Sequence, residues 1–170
     1  MFRIGKILLA LLLLLINHIS LAGTATGTLA VSAIVGDTCS VGVGSNLLAF
    51  GTYTPGGAAL NTNGSLSLTC TDGDTYTVAL DAGSGSGATL ATRILTNPSP
   101  AGTLQYTIYT TTARTTVWGD GTAGTATVPG TGTGALQSIT VPGTIFAGQS
   151  ATVTPGNYTD TVNITVTFSP

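Results

Sequence analysis

The chain has 170 residues, of which only 6% are charged, and its formal net charge is −2. Four basic residues in total leave no basic patch for nucleic acid or for an anionic membrane surface. The length suits one domain. Abundant Gly, Thr, Ala and Val with few strong helix formers predict an all-β sandwich of short strands.

Residues 1–22 predict a secretory signal peptide, with an uncleaved anchor as the alternative. Arg3 and Lys6 precede the apolar run 7–16, which is too short to span a bilayer with ease. Residues 20–22 resemble the small-x-small pattern before a cleavage site. We therefore expect the chain to be exported.

Removal of this segment leaves little catalytic chemistry. It takes away the only His, Lys and Met and leaves two Arg against six Asp with no Glu, a net charge of −4. A Ser-His-Asp triad and lysine chemistry are then impossible, and only Asp pairs remain as general acid and base. Asp72 and Asp74 are interpreted as turn residues. We expect no catalytic residue, no metal site and no cofactor.

Residues 26–36 have the period of a β-strand. Leu29, Val31, Ala33 and Val35 fall on one face, because side chains alternate across a strand. The opposite face is more polar. The segment is either the first strand of its own domain or a detachable arm that completes the sheet of a neighbour.

Cys39 and Cys70 are even in number and lie in a chain with an export signal, so a disulfide is the default interpretation. Closing a loop of about 30 residues would stabilise the fold by about 3–4 kcal/mol. The alternative, two thiols that bind a metal, lacks a His or a third Cys.

The remaining strands are predicted from short apolar runs between Gly, Pro and Asn clusters. Strands 65–70 and 76–80 are expected to form a hairpin, 52–64 a loop, and the Gly/Thr-rich stretch 121–134 a partly disordered loop. The cleanest alternation places Val162, Ile164, Val166 and Phe168 on one face. The other predicted strands are 38–41, 47–51, 91–95, 104–109, 117–118, 137–142 and 144–146.

Three further side chains have structural and functional interpretations. Trp118 is expected to be a half-buried aromatic at the sandwich edge, with a sugar-stacking platform as the alternative. Arg93 and Arg114 are expected to pair with Asp or to cover apolar surface.

The absence of Lys after residue 6 leaves sheet edges without a common protection against aggregation. An arm that leaves its own sheet and fills the edge of the next subunit would use such edges, by β-strand addition. Head-to-tail exchange of this kind does not close, so it builds a fibre.

The sequence resembles the spore coat protein U domain family, which includes Csu-type archaic chaperone–usher pilins, over nearly all of the chain after residue 22. The terminal block and the cysteine pair are the most specific parts. The matching stretches are Asp37-Thr-Cys-Ser-Val41, Phe50-Gly51, Leu66-Ser-Leu-Thr-Cys70, residues 76–83, Leu104-Gln-Tyr-Thr-Ile-Tyr109, residues 113–119 and residues 156–168.

The resemblance implies an incomplete immunoglobulin-like sandwich, 38–170, with a donor-strand arm, 23–37, and the Cys39–Cys70 disulfide. Leu29, Val31, Ala33 and Val35 would form the donor face, although Ala33 stands where a larger apolar residue is usual. The acceptor groove would be bordered by the strand near Cys39 and by Val162, Ile164, Val166 and Phe168.

The function expected from the resemblance is that of a structural pilus subunit, assembled by donor-strand exchange and serving adhesion or biofilm formation. The implied partners are neighbouring pilins, a periplasmic chaperone and an outer-membrane usher. The chain would pass through the periplasm to the cell surface. The alternative is a secreted surface-coat or glycan-binding sandwich that stays monomeric, with Trp118 or Tyr109 exposed.

Overall fold

The computed structural model describes residues 22–42, 46–150 and 153–170, so all but the last residue of the predicted signal peptide lies outside the described residues. Regular structure in this part of the chain consists of β-strands alone. Within the same residues, no helix has the length and apolar character needed to cross a membrane. The chain divides into two units between Ile34 and Val35, and every strand belongs to the second.

Two antiparallel sheets make up the second unit, which confirms the predicted all-β sandwich. One has five strands in the order β1-β2-β7-β5-β4, and the other has three in the order β6-β3-β8. The strands are β1 (Cys39–Val41), β2 (Leu60–Cys70), β3 (Thr75–Leu80), β4 (Arg93–Pro98), β5 (Ala101–Ile108), β6 (Val128–Thr131), β7 (Gln137–Ile145) and β8 (Ile164–Ser169).

Alternating apolar residues explain how the two sheets enclose a core. In β3, Tyr76, Val78 and Leu80 are buried while Thr75 and Thr77 are exposed, because successive side chains point to opposite faces of a strand. The remaining buried apolar residues are Leu66, Leu68, Cys70, Leu104, Tyr106, Ile108, Trp118, Val141 and Ile145.

The predicted hairpin of 65–70 with 76–80 is wrong. β2 pairs with β1 and β7, whereas β3 pairs with β6 and β8, so the two strands belong to different sheets. The turn at Asp72 and Gly73 carries the chain across the sandwich, and the Gly73 N–H donates to Gly132 O at 3.0 Å beside β6. Both strands have one apolar face, and the crossing sets these faces against each other across a shared core.

Two predicted loops contain strands. Residues 60–64 of β2 pair with 141–145 of β7, from Leu60 with Ile145 to Gly64 with Val141. β6 lies in the Gly/Thr-rich stretch and pairs with β3. Pairing between distant segments has prevailed over a local composition that is typical of turns.

The disulfide between Cys39 and Cys70 is confirmed. The two residues are directly opposite in the β1–β2 ladder, so the bond joins β1 to the one strand beside it in the described part of the sheet. The bond consumes both thiols and thereby removes the alternative of a thiol metal site.

Candidate functional site

A groove opens between the two sheets, with two connected parts. The narrow lobe has a volume of about 200 Å³ and is lined by buried side chains such as Leu66, Leu80 and Ile108. The wide lobe has a volume of about 930 Å³ and includes Leu104 and Ile145. Both lobes are lined by Leu47, Leu48, Phe50, Leu95 and Asp160.

The first wall of the groove, residues 47–53, follows β1. The backbones of Leu47 and Ser65 exchange two hydrogen bonds of 3.2 Å, and the Tyr53 hydroxyl donates to Phe146 O at 3.1 Å. The wall can approach the sheet because two facing residues lack side chains. A Cβ on Gly64 would meet the backbone of Leu47 and Leu48, and one on Gly143 would meet the side chains of Leu48 and Phe50.

The second wall, residues 153–164, leads into β8. Thr96 and Thr159 exchange backbone hydrogen bonds of 2.9 and 3.0 Å. The Tyr158 hydroxyl donates to Thr154 O at 2.8 Å and accepts from Thr154 N at 2.7 Å. The second wall is therefore fastened to β4 at Thr159 and folded on itself at its start.

Asp81 fixes the point at which the second wall becomes β8. Its carboxylate accepts from Gly83 N and Asn163 N, both at 2.9 Å, and from the Asn163 side-chain amide at 2.6 Å. Burial alone would raise the pKa of Asp81, but these hydrogen bonds outweigh it and hold the pKa below its ordinary value.

The groove is narrow toward β8 and wide toward Pro155 and Gly156. Among the described residues, β8 and β1 each have a sheet neighbour on one side only, so both are edge strands. These two edge strands come within 8 Å of each other, Cα to Cα. The groove lies between the two walls that continue from them.

One polar pair interrupts the apolar lining. The Tyr106 hydroxyl donates to Asp160 Oδ2 at 2.7 Å. Asp160 Oδ1 accepts from Ser84 N and Ser84 Oγ, both at 2.8 Å, and from Thr161 N at 2.7 Å. Burial of Tyr106 raises the pKa of its hydroxyl well above the ordinary value, and the hydrogen bond to Asp160 adds a smaller contribution. The hydroxyl therefore keeps its proton and stays a hydrogen-bond donor.

Below the groove, Arg93 and Trp118 are both fully buried. The Arg93 guanidinium donates to the carbonyls of Asp81, Leu90 and Trp118 at 2.9, 3.2 and 2.8 Å, and the Trp118 indole donates to Val78 O at 2.8 Å. The expectation of a half-buried Trp118 is therefore wrong, because a backbone acceptor allows the whole ring to be buried. The position also leaves no exposed ring for stacking on a sugar.

The predicted acceptor residues fall in two places. Val162 and Ile164 line the narrow lobe. Val166 and Phe168 lie further along β8, opposite Val78 and Tyr76 of β3, and do not line the groove. The sequence does not predict residues 47–53 and 153–160 as walls. For the first wall the signal is the apolar pattern of Leu47, Leu48 and Phe50, which by itself predicts an ordinary strand.

The predicted donor residues lie in a segment that forms no strand within the chain. Leu29, Val31 and Val35 are 87%, 85% and 83% exposed, and Ala33 is exposed as well. Ile34, on the opposite face, is 97% exposed. Several large apolar side chains this exposed within one short segment are unusual outside interaction surfaces. The donor role of these four residues stays a prediction.

Comparison with known proteins finds a family model and a relative that point to the same family. A family model of the Spore Coat Protein U domain matches residues 25–165. "Protein U" of Myxococcus xanthus is 38% identical over 159 residues, which cover 86% of this chain and 87% of that protein.

Among solved structures, the P pilus rod subunit PapA aligns with a TM-score of 0.51 at 13% identity, over 77% of this chain and 99% of PapA. A chain of the CsuC–CsuE chaperone–tip adhesion subunit complex of Acinetobacter baumannii gives a TM-score of 0.49 at 21% identity, over 78% of this chain. The present chain spans only 40% of the length of that second match. The likeness to PapA confirms the immunoglobulin-like pilin fold.

Proposed function

Because the chain belongs to the Spore Coat Protein U domain family, we propose that it is a non-enzymatic structural subunit of a surface pilus, joined to its neighbours by donor-strand exchange. The groove between residues 47–53 and 153–164 is the acceptor site. Its occupant is the arm, residues 23–37, of the next subunit.

The observation that carries this proposal is an open apolar groove and an exposed apolar arm in one chain. Burying a Leu or Val side chain fully is worth about 1.5–3 kcal/mol. Three such residues on the donor face are exposed here, so a groove that covered them would supply most of the binding energy. The arm would add backbone hydrogen bonds to the edge strand that it joins.

Export and assembly follow from the same proposal. Before polymerisation, the open groove would expose its apolar lining to the periplasm, where a chaperone strand would cover it. At an outer-membrane usher, the arm of the next subunit would replace that strand. The finished fibre would stand on the cell surface and serve adhesion or biofilm formation.

Two matched substitutions in the arm test the proposal. In the exported chain, Val31→Asp places a charge on the donor face, where burial would be costly. Ser32→Asp places the same charge on the opposite face. We expect the native chain and Ser32→Asp to form polymers, and Val31→Asp to remain monomeric, by size-exclusion chromatography with light scattering. Equal polymerisation of Val31→Asp and Ser32→Asp would contradict the proposal.

The monomeric Val31→Asp chain should keep an empty groove. A synthetic peptide of residues 23–36, at a hundredfold excess over its Kd, should raise the melting temperature of this variant by about 5–10 °C. If the native chain is a monomer that is indifferent to the peptide, the surface-coat module is the better assignment.

A further inference from the structure

We propose that the Asp160–Tyr106 pair divides the acceptor groove and selects a small donor residue, Ala33, at the position where the two lobes meet. The inference rests on the proposed function and adds a specificity determinant and a register to it. Its starting point is that Asp160 lines both lobes and that Ala33 is the smallest of the four donor residues.

The pair is held rigidly, so that an incoming side chain has to adapt to it. Asp160 is bonded through one oxygen to Ser84 and to the backbone of Thr161, and through the other to Tyr106. Tyr106 is only 3% exposed and its ring packs edge-on against Phe50 at 5.7 Å between centroids. Neither side chain can withdraw without breaking these contacts.

A large apolar donor residue at this point would be unfavourable for two reasons. It would displace the water that solvates the half-buried carboxylate of Asp160 without offering a hydrogen bond. It would also press on Asp160 and Tyr106, which are held in place by their hydrogen bonds. Ala33 covers the pair with a single methyl group and avoids both costs.

The unequal widths of the two lobes set the direction of the arm. The carboxyl end of the arm is joined to a whole domain, for which the wide lobe leaves room and the narrow lobe does not. The arm must therefore leave at the wide end and run antiparallel to residues 153–164. When Ala33 lies opposite Asp160, a step of two residues along both strands places each of the three remaining donor residues opposite a lining residue. The pairs are Val31 with Val162, Leu29 with Ile164, and Val35 with Tyr158.

Peptide binding to the full Val31→Asp chain, whose own arm is disabled as a competitor, tests the inference. The probes are fluorescent peptides of residues 23–36 with the native sequence, with Ala33→Leu, or with Val35→Leu as the control that enlarges the donor within the wide lobe. We expect Ala33→Leu to bind at least about tenfold more weakly than the native peptide, and Val35→Leu to stay within about threefold.

Changes in the groove should relax this selection. Adding Asp160→Ala to the Val31→Asp chain should bring the Ala33→Leu peptide within about threefold of the native one. Should that variant fail to fold, adding Tyr106→Phe instead removes one hydroxyl and should also reduce the discrimination. If the native peptide and the Ala33→Leu peptide bind equally well, this inference is overturned but the proposed function is not. Failure of every peptide to bind overturns the proposed function with it.

Discussion

The two arginines after residue 22 differ in structural importance, and neither of them lines the groove. Arg93 satisfies three backbone carbonyls from a fully buried position. Burial lowers the pKa of its guanidinium from the ordinary value, yet the group stays charged because that value is so high. Arg114 lies in a surface turn, where it donates to Thr62 O and Asn63 Oδ1 at 3.0 and 2.8 Å.

We expect Arg93→Met to lower the free energy of unfolding by about 3–5 kcal/mol, because it leaves buried carbonyls without donors. The matched substitution Arg114→Met should cost about 1 kcal/mol. Urea denaturation of the two variants, in the Val31→Asp background to avoid polymerisation, measures the difference. Similar losses for both would mean that the Arg93 hydrogen bonds contribute little to stability.

At the scale of elements, the first wall depends on two glycines in neighbouring strands. Neither needs glycine for its backbone dihedral angles, because no positive φ occurs at Gly64 or Gly143. Each is needed for space. The obstacle at Gly64 is the backbone of Leu47, whereas at Gly143 it is the far ends of the Leu48 and Phe50 side chains.

This difference predicts separable effects for the same added methyl group. Gly64→Ala must displace the wall itself and should lower the free energy of unfolding by about 2–3 kcal/mol. Gly143→Ala should cost about 1 kcal/mol, because Leu48 and Phe50 can turn away, but they turn into the groove. Arm-peptide binding should therefore weaken more than stability in Gly143→Ala. Unaltered peptide affinity in that variant would place the arm elsewhere.

At the scale of the whole molecule, the local sequence predicts the features that depend on the alternation of apolar and polar residues along a strand. The sandwich and the inward faces of β2 and β3 follow from a period of two, whereas in β8 the alternation ends before Phe168, which is exposed. The disulfide follows from two cysteines in a chain with an export signal. What could not be predicted depends on contacts between distant segments. Asn61 to Gly64 have the composition of a turn and become a strand only because β7 lies beside them. Trp118 can be fully buried because Val78 O accepts the hydrogen bond of its indole N–H.

The resemblance implied a groove bordered by Val162, Ile164, Val166 and Phe168, and of these four Val162 and Ile164 line the groove. Their acceptor role stays a prediction. The sequence does not predict residues 47–53 as a wall, because Gly64 and Gly143 are typical of a turn in sequence, whereas in the structure their missing side chains let this wall approach the sheet.

The placement of Arg93 and Arg114 also affects how susceptible the folded protein is to trypsin. Trypsin cuts only after Lys or Arg, and beyond residue 22 the chain offers it these two residues alone. Arg93 is fully buried, and the Arg114 side chain in its surface turn is bound to Thr62 O and Asn63 Oδ1, so we expect cleavage at either site to be slow without local opening. Leu29, in contrast, is open to chymotrypsin. We expect the isolated subunit to lose its arm to chymotrypsin while resisting trypsin, and the assembled fibre to resist both.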